Sequence, residues 1–438
     1  MLKICILSSF SSVDEAYSLI GVVQNQIRML VSGGYNPVVI VKEGFRPEQT
    51  FALPQVELRF IPHVHTSNYV SELMDDKNFK QDVEKLKERL IENLKDVDVV
   101  LTHDLIYQPE SLKINFACRE AIKENEHMKK IKWLHWVHSA TSPSILGKEL
   151  KQGDAYFEQV RQKFPNSYVI FPNSYSIPRV ARNFGYEEDE VKVVHHATNM
   201  PSFCKWDPVV TQLVMEKNML QADAIDIYPV RLDRGKQVEV VIKIFAELKK
   251  LDYTVRVVIA DFHSTGGDKV TYREDLKKMA IDWGLNDQDL TFTSQYHPSW
   301  NVSIPSKSVH DLMELSNVFI LPSKSETYSL VAQEAALLGN LLVLNHDFAP
   351  FRDIYGKNAI YKQFSSGIGF DGLDGEVTTT YSNEHGYYHD CAMRIKYELE
   401  NNMVLAQQRR LRKYRNPVYI FKNELEILFF FPDKNDSK

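Results

Sequence analysis

Short apolar runs alternate with longer amphipathic stretches along most of the chain. Runs rich in Val, Ile and Leu that are separated by helical periodicity are typical of βαβ units, in which helices cover both faces of a parallel sheet. The alternation occurs twice, so we predict an α/β fold with two parallel sheets. The predicted strands are Lys3–Leu7, Pro37–Val41, Val97–Leu101, Lys132–Val137, Tyr168–Phe171 and Val191–Val194 in the first half, and Ala224–Val230, Thr254–Ile259, Leu290–Thr293, Val318–Leu321 and Leu341–Leu344 in the second.

The stretch from Asn199 to Pro208 breaks this alternation, because it has neither periodicity and contains two prolines. We therefore predict one domain over residues 1–205 and a second over residues 206–415. A Gly-, Ser- and Thr-rich loop is predicted from Ser365 to Asn383, before a charged helix that ends near Tyr414. Residues 416–431 carry an aromatic face, so we expect a last helix that packs back on the first domain. Residues 433–438 are expected to be disordered.

Composition narrows the class of protein. The 438 residues are 44% hydrophobic and 25% charged, which suits two globular domains, and a net charge of −6 does not favour nucleic acid as a partner. Four widely spaced cysteines without a CxxC pair argue against a disulfide framework or a zinc site. No apolar stretch reaches the roughly 18 residues that span a bilayer, and Met1–Ser9 resembles a strand more than a signal peptide. A cytoplasmic protein is expected.

The segment from Leu321 to Gly339 carries the strongest chemical pattern. A predicted strand ends at a Pro-Ser turn, and a helix is predicted to begin near Tyr328, with Glu326 before it and Glu334 inside it. Ligands of open α/β sheets bind at the carboxyl ends of the strands, where helix N-termini suit a diphosphate. Eight helical residues rise about 12 Å, too far for a glycosidase pair of carboxylates. Two unrelated surface glutamates are the alternative.

A second pattern, Arg231 followed five residues later by Lys236, comes after the first strand of the second half. A strand-to-helix turn of this kind can direct a guanidinium and an ammonium group onto one pair of phosphates. Solvated basic side chains are the alternative.

Together, R-x4-K and the following E-x7-E resemble the retaining GT-B glycosyltransferases of family 4, also called group 1. The resemblance is strong from about 225 to 345 and weak elsewhere. It implies a GT-B architecture, with two Rossmann-like domains facing across a cleft. It also implies that Arg231 and Lys236 hold the donor diphosphate, that Glu326 meets the sugar hydroxyls and that Glu334 binds the nucleotide ribose. Tyr296 would flank the base.

The chain departs from the family pattern after Glu326. The family often has Glu-Gly-Phe-Gly where this chain has Glu326-Thr327-Tyr328-Ser329, so two glycines are missing. The backbone N–H groups of Tyr328, Ser329 and Leu330 are still expected to cradle phosphate, with side chains crowding the approach. The donor is expected to be a UDP- or GDP-linked sugar.

The N-terminal half resembles the family more loosely. Gly21 stands where the family usually has a Gly-Gly pair at the start of the first helix. His138, in the segment Trp133–Ser139, resembles the histidine that family members point at the reacting sugar. A buried structural histidine is the alternative. The acceptor is expected to enter near Gly21, Thr102-His103-Asp104 and the segment after His138.

No metal or other cofactor is expected. The strings Asp96-Val97-Asp98 and Asp287-Gln288-Asp289 have the DxD form of metal-dependent transferases, but both lie in predicted helix-to-strand connections, and GT-B enzymes stabilise the leaving diphosphate with cationic side chains and helix dipoles. Two basic clusters, Lys80–Lys95 and Arg409–Arg415, are expected to be solvated helix faces. The alternatives are peripheral contact to the inner face of a membrane or contact with a phosphorylated acceptor.

The sequence therefore predicts a retaining transferase that moves a sugar from a nucleotide diphosphate sugar to an acceptor, with a glycan or glycolipid precursor favoured only by the family's habits. Acceptor identity and oligomeric state are not readable. A non-catalytic binding or scaffold protein of the same fold is the alternative. A nicotinamide or flavin oxidoreductase is disfavoured, because no G-x-G-x-x-G follows a strand.

Overall fold

The computed structural model describes residues 2–14, 17–64, 77–108, 111–138, 162–264, 267–323, 326, 328–364 and 383–431. The strands in this part of the chain are β1 Ile4–Leu7, β2 Val38–Lys42, β3 Glu57–Ile61, β4 Val99–His103, β5 Lys132–Trp136, β6 Ser167–Phe171, β7 Val191–Val193, β8 Ala224–Val230, β9 Val255–Asp261, β10 Leu290–Phe292, β11 Val318–Leu321, β12 Leu341–Asn345 and β13 Ile360–Lys362.

Helices occupy most of the connections between these strands. They are α1 Ser18–Ser32, α2 Lys77–Asn93, α3 Leu112–Glu124, α4 Glu126–Lys130, α5 Ile177–Phe184, α6 Met200–Phe203, α7 Pro208–Glu216, α8 Val238–Lys250, α9 Asp268–Asp282, α10 Thr293–Tyr296, α11 Ser306–Leu315, α12 Leu330–Leu337, α13 Ala349–Tyr355, α14 Glu384–Asn401, α15 Met403–Tyr414, α16 Pro417–Ile420 and α17 Glu426–Phe429, the last two joined by a π-helical turn over Phe421–Leu425.

The described strands form two sheets in which neighbouring strands are parallel. The first has the order β3-β2-β1-β4-β5-β6-β7 and the second the order β10-β9-β8-β11-β12-β13. In each sheet the strand order reverses once, between β1 and β4 in the first and between β8 and β11 in the second. The prediction of an α/β fold with two Rossmann-like parallel-sheet domains is confirmed.

The first sheet is buried on both faces, which explains its nearly continuous apolar strands. Successive residues of β1 point to opposite sides: Cys5 and Leu7 pack in one apolar cluster with α2 and α3, whereas Ile4 and Ile6 pack in another with α1 and the C-terminal segment. A third apolar cluster forms the core of the second unit, around β8, β9 and β11.

The chain divides into two compact units. One comprises Met1–Asn199 and Pro417–Lys438, and the other comprises Met200–Asn416. The predicted boundary at residues 205 and 206 lies slightly later, because Met200 and Cys204 already pack on the core of the second unit. Phe421 belongs to the core of the first unit, where its ring lies against Gly33 at the end of α1 and leaves no room for a Cβ there.

The two strands that the sequence analysis missed both lie at sheet edges. β3 has two exposed and two partly buried residues, and only Ile61 is fully buried, so it lacks an apolar run. β13 is three residues long. Propensity and apolar patterning are weakest at such positions, because an edge strand is held on one side only.

Helix boundaries also differ from the predicted ones. The predicted charged helix up to Tyr414 is two helices, because Asn402 is extended and its side chain accepts hydrogen bonds from the N–H groups of Val404 and Leu405. Such capping starts a new helix. Residues 365–382 of the predicted loop and the tail 433–438 lie outside the described residues.

Asp226 is an unusual member of the second core. It is fully buried in β8, and no described side chain hydrogen-bonds or ion-pairs with its carboxyl group. Burial raises the pKa of Asp226 well above its ordinary value, because the charged form is poorly solvated there. The unfolded chain ionises above about pH 4 while the folded protein keeps the proton, so this carboxyl lowers stability as the pH rises.

We expect Asp226→Asn to raise the thermal unfolding midpoint at pH 7 by a few degrees, with the gain vanishing near pH 4, since Asn cannot ionise in the unfolded chain. Differential scanning calorimetry at several pH values checks this. Asp223→Asn is the matched control: it removes the partner of Lys413 Nζ, 2.6 Å from Asp223 Oδ1, and should lower the midpoint. Equal midpoints for Asp226→Asn and the native protein at pH 7 would contradict the account.

Candidate functional site

Two turns of the second unit are joined by an ion pair at the position where its strand order reverses. Lys236 follows β8 and Glu326 follows β11, the strands on either side of the reversal. Lys236 Nζ lies 2.6 Å from Glu326 Oε1, with the two side chains 31% and 17% exposed. Parallel sheets open a crevice at this position, at the carboxyl ends of the strands. The structure thus brings together two of the sequence-predicted residues, which are 90 positions apart.

Buried groups form hydrogen bonds with the turn that carries Lys236. Tyr228 in β8 donates its hydroxyl hydrogen to the carbonyl of Lys236 at 2.9 Å, and the backbone N–H of Leu232 donates to Ser264 Oγ at 3.1 Å. Both partners are almost fully buried. These hydrogen bonds fix the backbone of the turn, and the contact with Glu326 fixes the ammonium group of Lys236.

Further cationic groups lie on this turn and on α9. Arg231 is 57% exposed, and its Nε lies 2.6 Å from Asp233 Oδ2, while Lys269 Nζ lies 3.7 Å from Asp233 Oδ1. The guanidinium of Arg234 stacks over the ring of Tyr272, 4.8 Å from its centroid. Arg234 and Lys269 were not singled out from the sequence, although both lie near the predicted R-x4-K motif. Two cations, Arg231 and Lys269, therefore lie against Asp233, and Arg234 pairs instead with Asp275.

The N-terminus of α12 lies just after Glu326. Ser329 precedes the helix in the left-handed region, with φ 66°, and its hydroxyl accepts from Ala332 N at 3.4 Å. A glycine adopts this backbone without strain, and a residue with a Cβ does not. Tyr328 and Leu330 are exposed on either side, at 44% and 67%. The departure from the family pattern therefore affects the backbone as well as the side chains.

Two other predicted residues, Glu334 and Tyr296, lie on α12 and at the end of α10. Glu334 is exposed on α12. Tyr296 lies beyond β10, two strands away from β8, where its hydroxyl donates to Glu216 Oε2 at 2.8 Å and its ring contacts Trp300. Tyr296 also lines a cavity of about 310 Å³ along the edge strand β10. Thr327, between Glu326 and Tyr328, lies outside the described residues.

In the first unit, His138 belongs to an array of parallel rings at the carboxyl ends of β4 and β5. Its ring stacks on His103 at 5.3 Å and on His196 at 5.3 Å between centroids, and both His103 and His196 also stack on Trp136. His138 is partly exposed, whereas His135, in the preceding strand, is fully buried against Phe164. His135 is thus a core residue, and the segment 139–161 lies outside the described residues.

The predicted acceptor residues Thr102, His103 and Asp104 are buried, and they contact histidines of β5 and of the segment that follows it. Thr102 Oγ1 lies 2.9 Å from His135 Nδ1, and Asp104 Oδ1 accepts from the backbone N–H of His138 at 3.1 Å. Burial raises the pKa of Asp104. His103 and Asp104 thus position His138, whereas Thr102 contacts the core residue His135.

Gly21 lies in the first turns of α1 and is exposed. A Cβ added there would meet no protein atom within 4 Å, so packing does not require a glycine at this position. The open space at the helix start is compatible with the predicted close approach of a ligand to the backbone.

Acidic groups in the described residues are already engaged where the sequence offered metal-like patterns. In the two DxD strings, Asp96 pairs with Arg59 and Asp289 with Lys249. A cluster of His310, Asp311 and Glu314 has ligand atoms within 4.8 Å of one another. However, Asp311 accepts from Lys307 Nζ and from a backbone N–H, and Glu314 accepts from the indole of Trp206. The absence of a metal requirement stays a prediction.

The C-terminal basic cluster is largely directed into the protein. Arg412 donates to the carbonyl of Ala222, Arg409 to the hydroxyl of Tyr253, and Lys413 pairs with Asp223. These three cations therefore fasten α15 to its own unit. In the first cluster, Lys87 pairs with Glu84 and Glu124, and Arg89 pairs with Glu92. In the described part of the chain, no helix is long and apolar enough to cross a membrane. Peripheral membrane contact and location stay predictions.

The geometry of the second unit agrees with a comparison of families. Residues 216–364 match the family model described as Glycosyl transferases group 1. Over these residues the second unit is similar to the group 1 glycosyl transferases. The match covers both turns at the strand-order reversal and all of Arg231, Lys236, Tyr296, Glu326 and Glu334. The prediction that the protein is an enzyme of the glycosyltransferase class is confirmed.

Solved structures that align with this glycosyltransferase over nearly its whole length include HepE of Anabaena in complex with UDP, at 14% identity, with 98% of this chain and 99% of that chain covered and a TM-score of 0.33. A glycosyltransferase from Rickettsia africae gives 12% identity, coverage of 98% and 97% and a TM-score of 0.36. Sucrose-phosphate synthase from Thermosynechococcus elongatus gives 13% identity, coverage of 98% of this chain and 96% of that chain, and a TM-score of 0.32. TM-scores this low carry no conclusion about site or substrate. No curated protein sequence matches the chain.

The residues that the sequence analysis missed act mainly by support. Tyr228 and Ser264 hold the Lys236 turn, and Gln26 lies 2.8 Å from His103 in the first unit of the glycosyltransferase. A polar hydroxyl in a mostly apolar strand was the signal for Tyr228, since buried hydroxyls generally need a partner. Gln26 gave a similar signal, because it lies on the apolar face of α1.

The buried histidines of the first unit predict an acid-sensitive fold. Burial lowers the pKa of His135 to about 3 and that of His138 to about 4, and burial together with neighbouring histidines lowers the pKa of His103. Below about pH 6.5 the unfolded chain binds protons that these folded residues do not, so stability falls as the pH drops toward 4. Each such residue adds at most about 1.4 kcal/mol per pH unit.

We expect urea denaturation at pH 7, 6 and 5 to show this loss, and His103→Phe to make it shallower, because Phe keeps the ring stack but binds no proton. The absolute stability of the variant can differ, so the slope with pH is the quantity compared. The same slope in the native protein and in His103→Phe would contradict the assignment of a neutral, buried His103.

Proposed function

We propose that this glycosyltransferase transfers a sugar from a UDP- or GDP-linked donor to an acceptor with retention of configuration, and that the donor binds on the second unit. The observation that carries the proposal is the 2.6 Å pair of Lys236 and Glu326 at the strand-order reversal. A single crevice there holds an ammonium group suited to a diphosphate and a carboxylate suited to sugar hydroxyls. The family pattern assigns those two roles to these two positions.

The charges of the site suit a leaving group that gains negative charge. Lys236 lies against Glu326 and offsets its repulsion toward a diphosphate, since the two charges are within contact distance. Arg231 is anchored through Nε on Asp233, which leaves its two terminal nitrogens to form forked hydrogen bonds to phosphate. We infer that both cations stabilise the diphosphate as the glycosidic bond breaks.

The N-terminus of α12 supplies the remaining polar groups. Its free backbone N–H groups and the positive end of its dipole favour a phosphate beside Tyr328, Ser329 and Leu330. Glu334 is exposed on the same helix and is proposed to accept from the ribose hydroxyls. Tyr296 is proposed to flank the base. We name no protein base for the attack, because the leaving phosphate is proposed to take the acceptor proton on the same face.

His138 is proposed to bind a substrate hydroxyl through its partly exposed ring. In the first unit Asp104 accepts from the backbone N–H of His138, and the rings of His103 and His196 lie nearly parallel to the His138 ring. The open backbone at Gly21 is proposed to receive another part of the substrate. The acceptor is left as a class with a nucleophilic hydroxyl, a glycan or glycolipid precursor being the family's commonest choice.

One observation favours a second candidate, a non-catalytic binding protein of the same fold. Ser329 has a positive φ and caps α12 with its own hydroxyl, so a side chain occupies the position that a phosphate would use. A site that had lost its donor would tolerate such a residue. Direct binding measurements separate the two candidates.

We expect UDP or GDP to raise the thermal unfolding midpoint selectively in a panel with ADP, CMP and dTDP. A ligand that binds only the folded protein stabilises it by about 2.7 kcal/mol at one hundred times its Kd. Lys236→Met, Arg231→Ala and Glu334→Ala should abolish the shift. Lys278→Met, which removes an exposed lysine of α9, is the matched control and should retain it. No shift with any nucleotide would favour the non-catalytic candidate.

Ser329→Gly tests how the missing glycine tunes the site. Glycine relieves backbone strain of about 1 kcal/mol at this φ and loses only a few tenths from the cap. We expect equal or higher stability and roughly three- to tenfold tighter nucleotide diphosphate binding by calorimetric titration. Ser329→Ala removes the hydroxyl but keeps the Cβ, and should not tighten binding. Equal affinities for the two variants would show that the Cβ does not obstruct the phosphate.

A further inference from the structure

A second polar contact crosses the strand-order reversal of the first unit. Gln26 lies on α1, the helix that follows β1, and His103 ends β4, the strand beside β1. Gln26 Oε1 is 2.8 Å from His103 Nε2, and His103 Nδ1 is 3.0 Å from His138 Nε2. Gln26 is 1% exposed and His103 is 7% exposed. A buried amide is thereby linked to the partly exposed His138 through a single imidazole.

The direction of this chain of hydrogen bonds decides which nitrogen of His138 carries hydrogen. An amide oxygen only accepts, so His103 donates from Nε2 and leaves its Nδ1 as a bare lone pair. That lone pair must then accept from His138 Nε2–H. A neutral imidazole has one N–H, so His138 Nδ1 is left as an acceptor.

We infer that Gln26 is a positioning residue that sets the ring tautomer of His138 through His103, so that His138 offers a bare Nδ1 to a substrate hydroxyl. The part of this inference that concerns the substrate rests on the proposed role of His138. The tautomer itself concerns the protein alone.

Three observations support a neutral and directional chain. Burial lowers the pKa of both His103 and His138, which keeps both rings neutral at pH 7. The planes of the His103 and His138 rings lie within 21° of one another, as the hydrogen bond between their nitrogens requires, and the ring of His196 is nearly parallel to that of His138. Gln26 Nε2 is buried and has no hydrogen-bond partner among the described residues. An apolar side chain would avoid the cost of a buried N–H group without a partner. We therefore assign the role of Gln26 to the hydrogen bond that its amide oxygen accepts.

The test is long-range ¹H–¹⁵N correlation of the intact protein labelled with ¹⁵N-histidine, with the His138 signals assigned by their loss in His138→Phe. In the native protein we expect hydrogen on Nε2 of His138. In Gln26→Met, which has similar length but no acceptor at this position, we expect a mixture of tautomers or hydrogen on Nδ1. Gln26→Glu keeps an acceptor and should restore the native pattern.

Gln24→Met is the matched control, because Gln24 is a buried glutamine of the same helix whose amide pairs with Gln49 at 3.0 Å. It should leave the His138 tautomer as in the native protein. If Gln26→Met does not fold, His103→Phe breaks the chain while keeping the ring stack, and should release the tautomer in the same way. Hydrogen on Nδ1 of His138 in the native protein, or an unchanged tautomer when the chain is broken, would overturn the inference.

Activity provides a separate readout. With an acceptor identified, Gln26→Met should lower kcat about tenfold with little change in the KM of the donor, and Gln26→Glu should recover most of the loss. Absence of any sugar transfer by the native protein would refute the proposed function and leave the spectroscopic result to judge the tautomer. A normal kcat in Gln26→Met with an altered tautomer would overturn the claim that the substrate uses His138 Nδ1.

Discussion

Parallel pairing of β8 with β11, and of β1 with β4, is the constraint on which the functional arrangement depends. At each pairing the connections on either side run in opposite directions, so the two neighbouring turns separate and leave a crevice at the strand ends. In the second unit Lys236 and Glu326 meet across that crevice, and in the first Gln26 meets His103. The same topological feature therefore supports an ion pair in one unit and a neutral chain of hydrogen bonds in the other.

The sequence located most strands because the central ones are buried on both faces. β1 reads as an unbroken apolar run since its alternate residues belong to two different clusters. β3, at the sheet edge, buries only Ile61 fully and gives no such run. The pattern of apolar residues thus reports how deeply a strand is buried, and its power falls toward the edges of a sheet.

The candidate site divides in the same way. The spacing of Arg231 and Lys236, and the position of Glu326 after a strand, could be read directly because they follow from local order along the chain. The supports of these residues could not, because Tyr228, Ser264 and Gln26 act through contacts made by folding. The basic cluster near the C-terminus shows the same limit: its sequence displays positive charge, but only the fold reveals that Arg412 and Lys413 are directed inward.

The return of the segment from Pro417 onward to the first unit has a consequence for biosynthesis. Residues 200–416 are continuous, so the second unit can fold as soon as it leaves the ribosome, whereas the first must wait for Phe421 and its neighbours. Until then, the apolar face of α1 that these residues cover is open to solvent, with Lys132 lacking the carbonyls of Phe429 and Phe431. The segment from Pro417 onward thus closes the first unit, and the nascent chain is most exposed to aggregation just before this segment emerges.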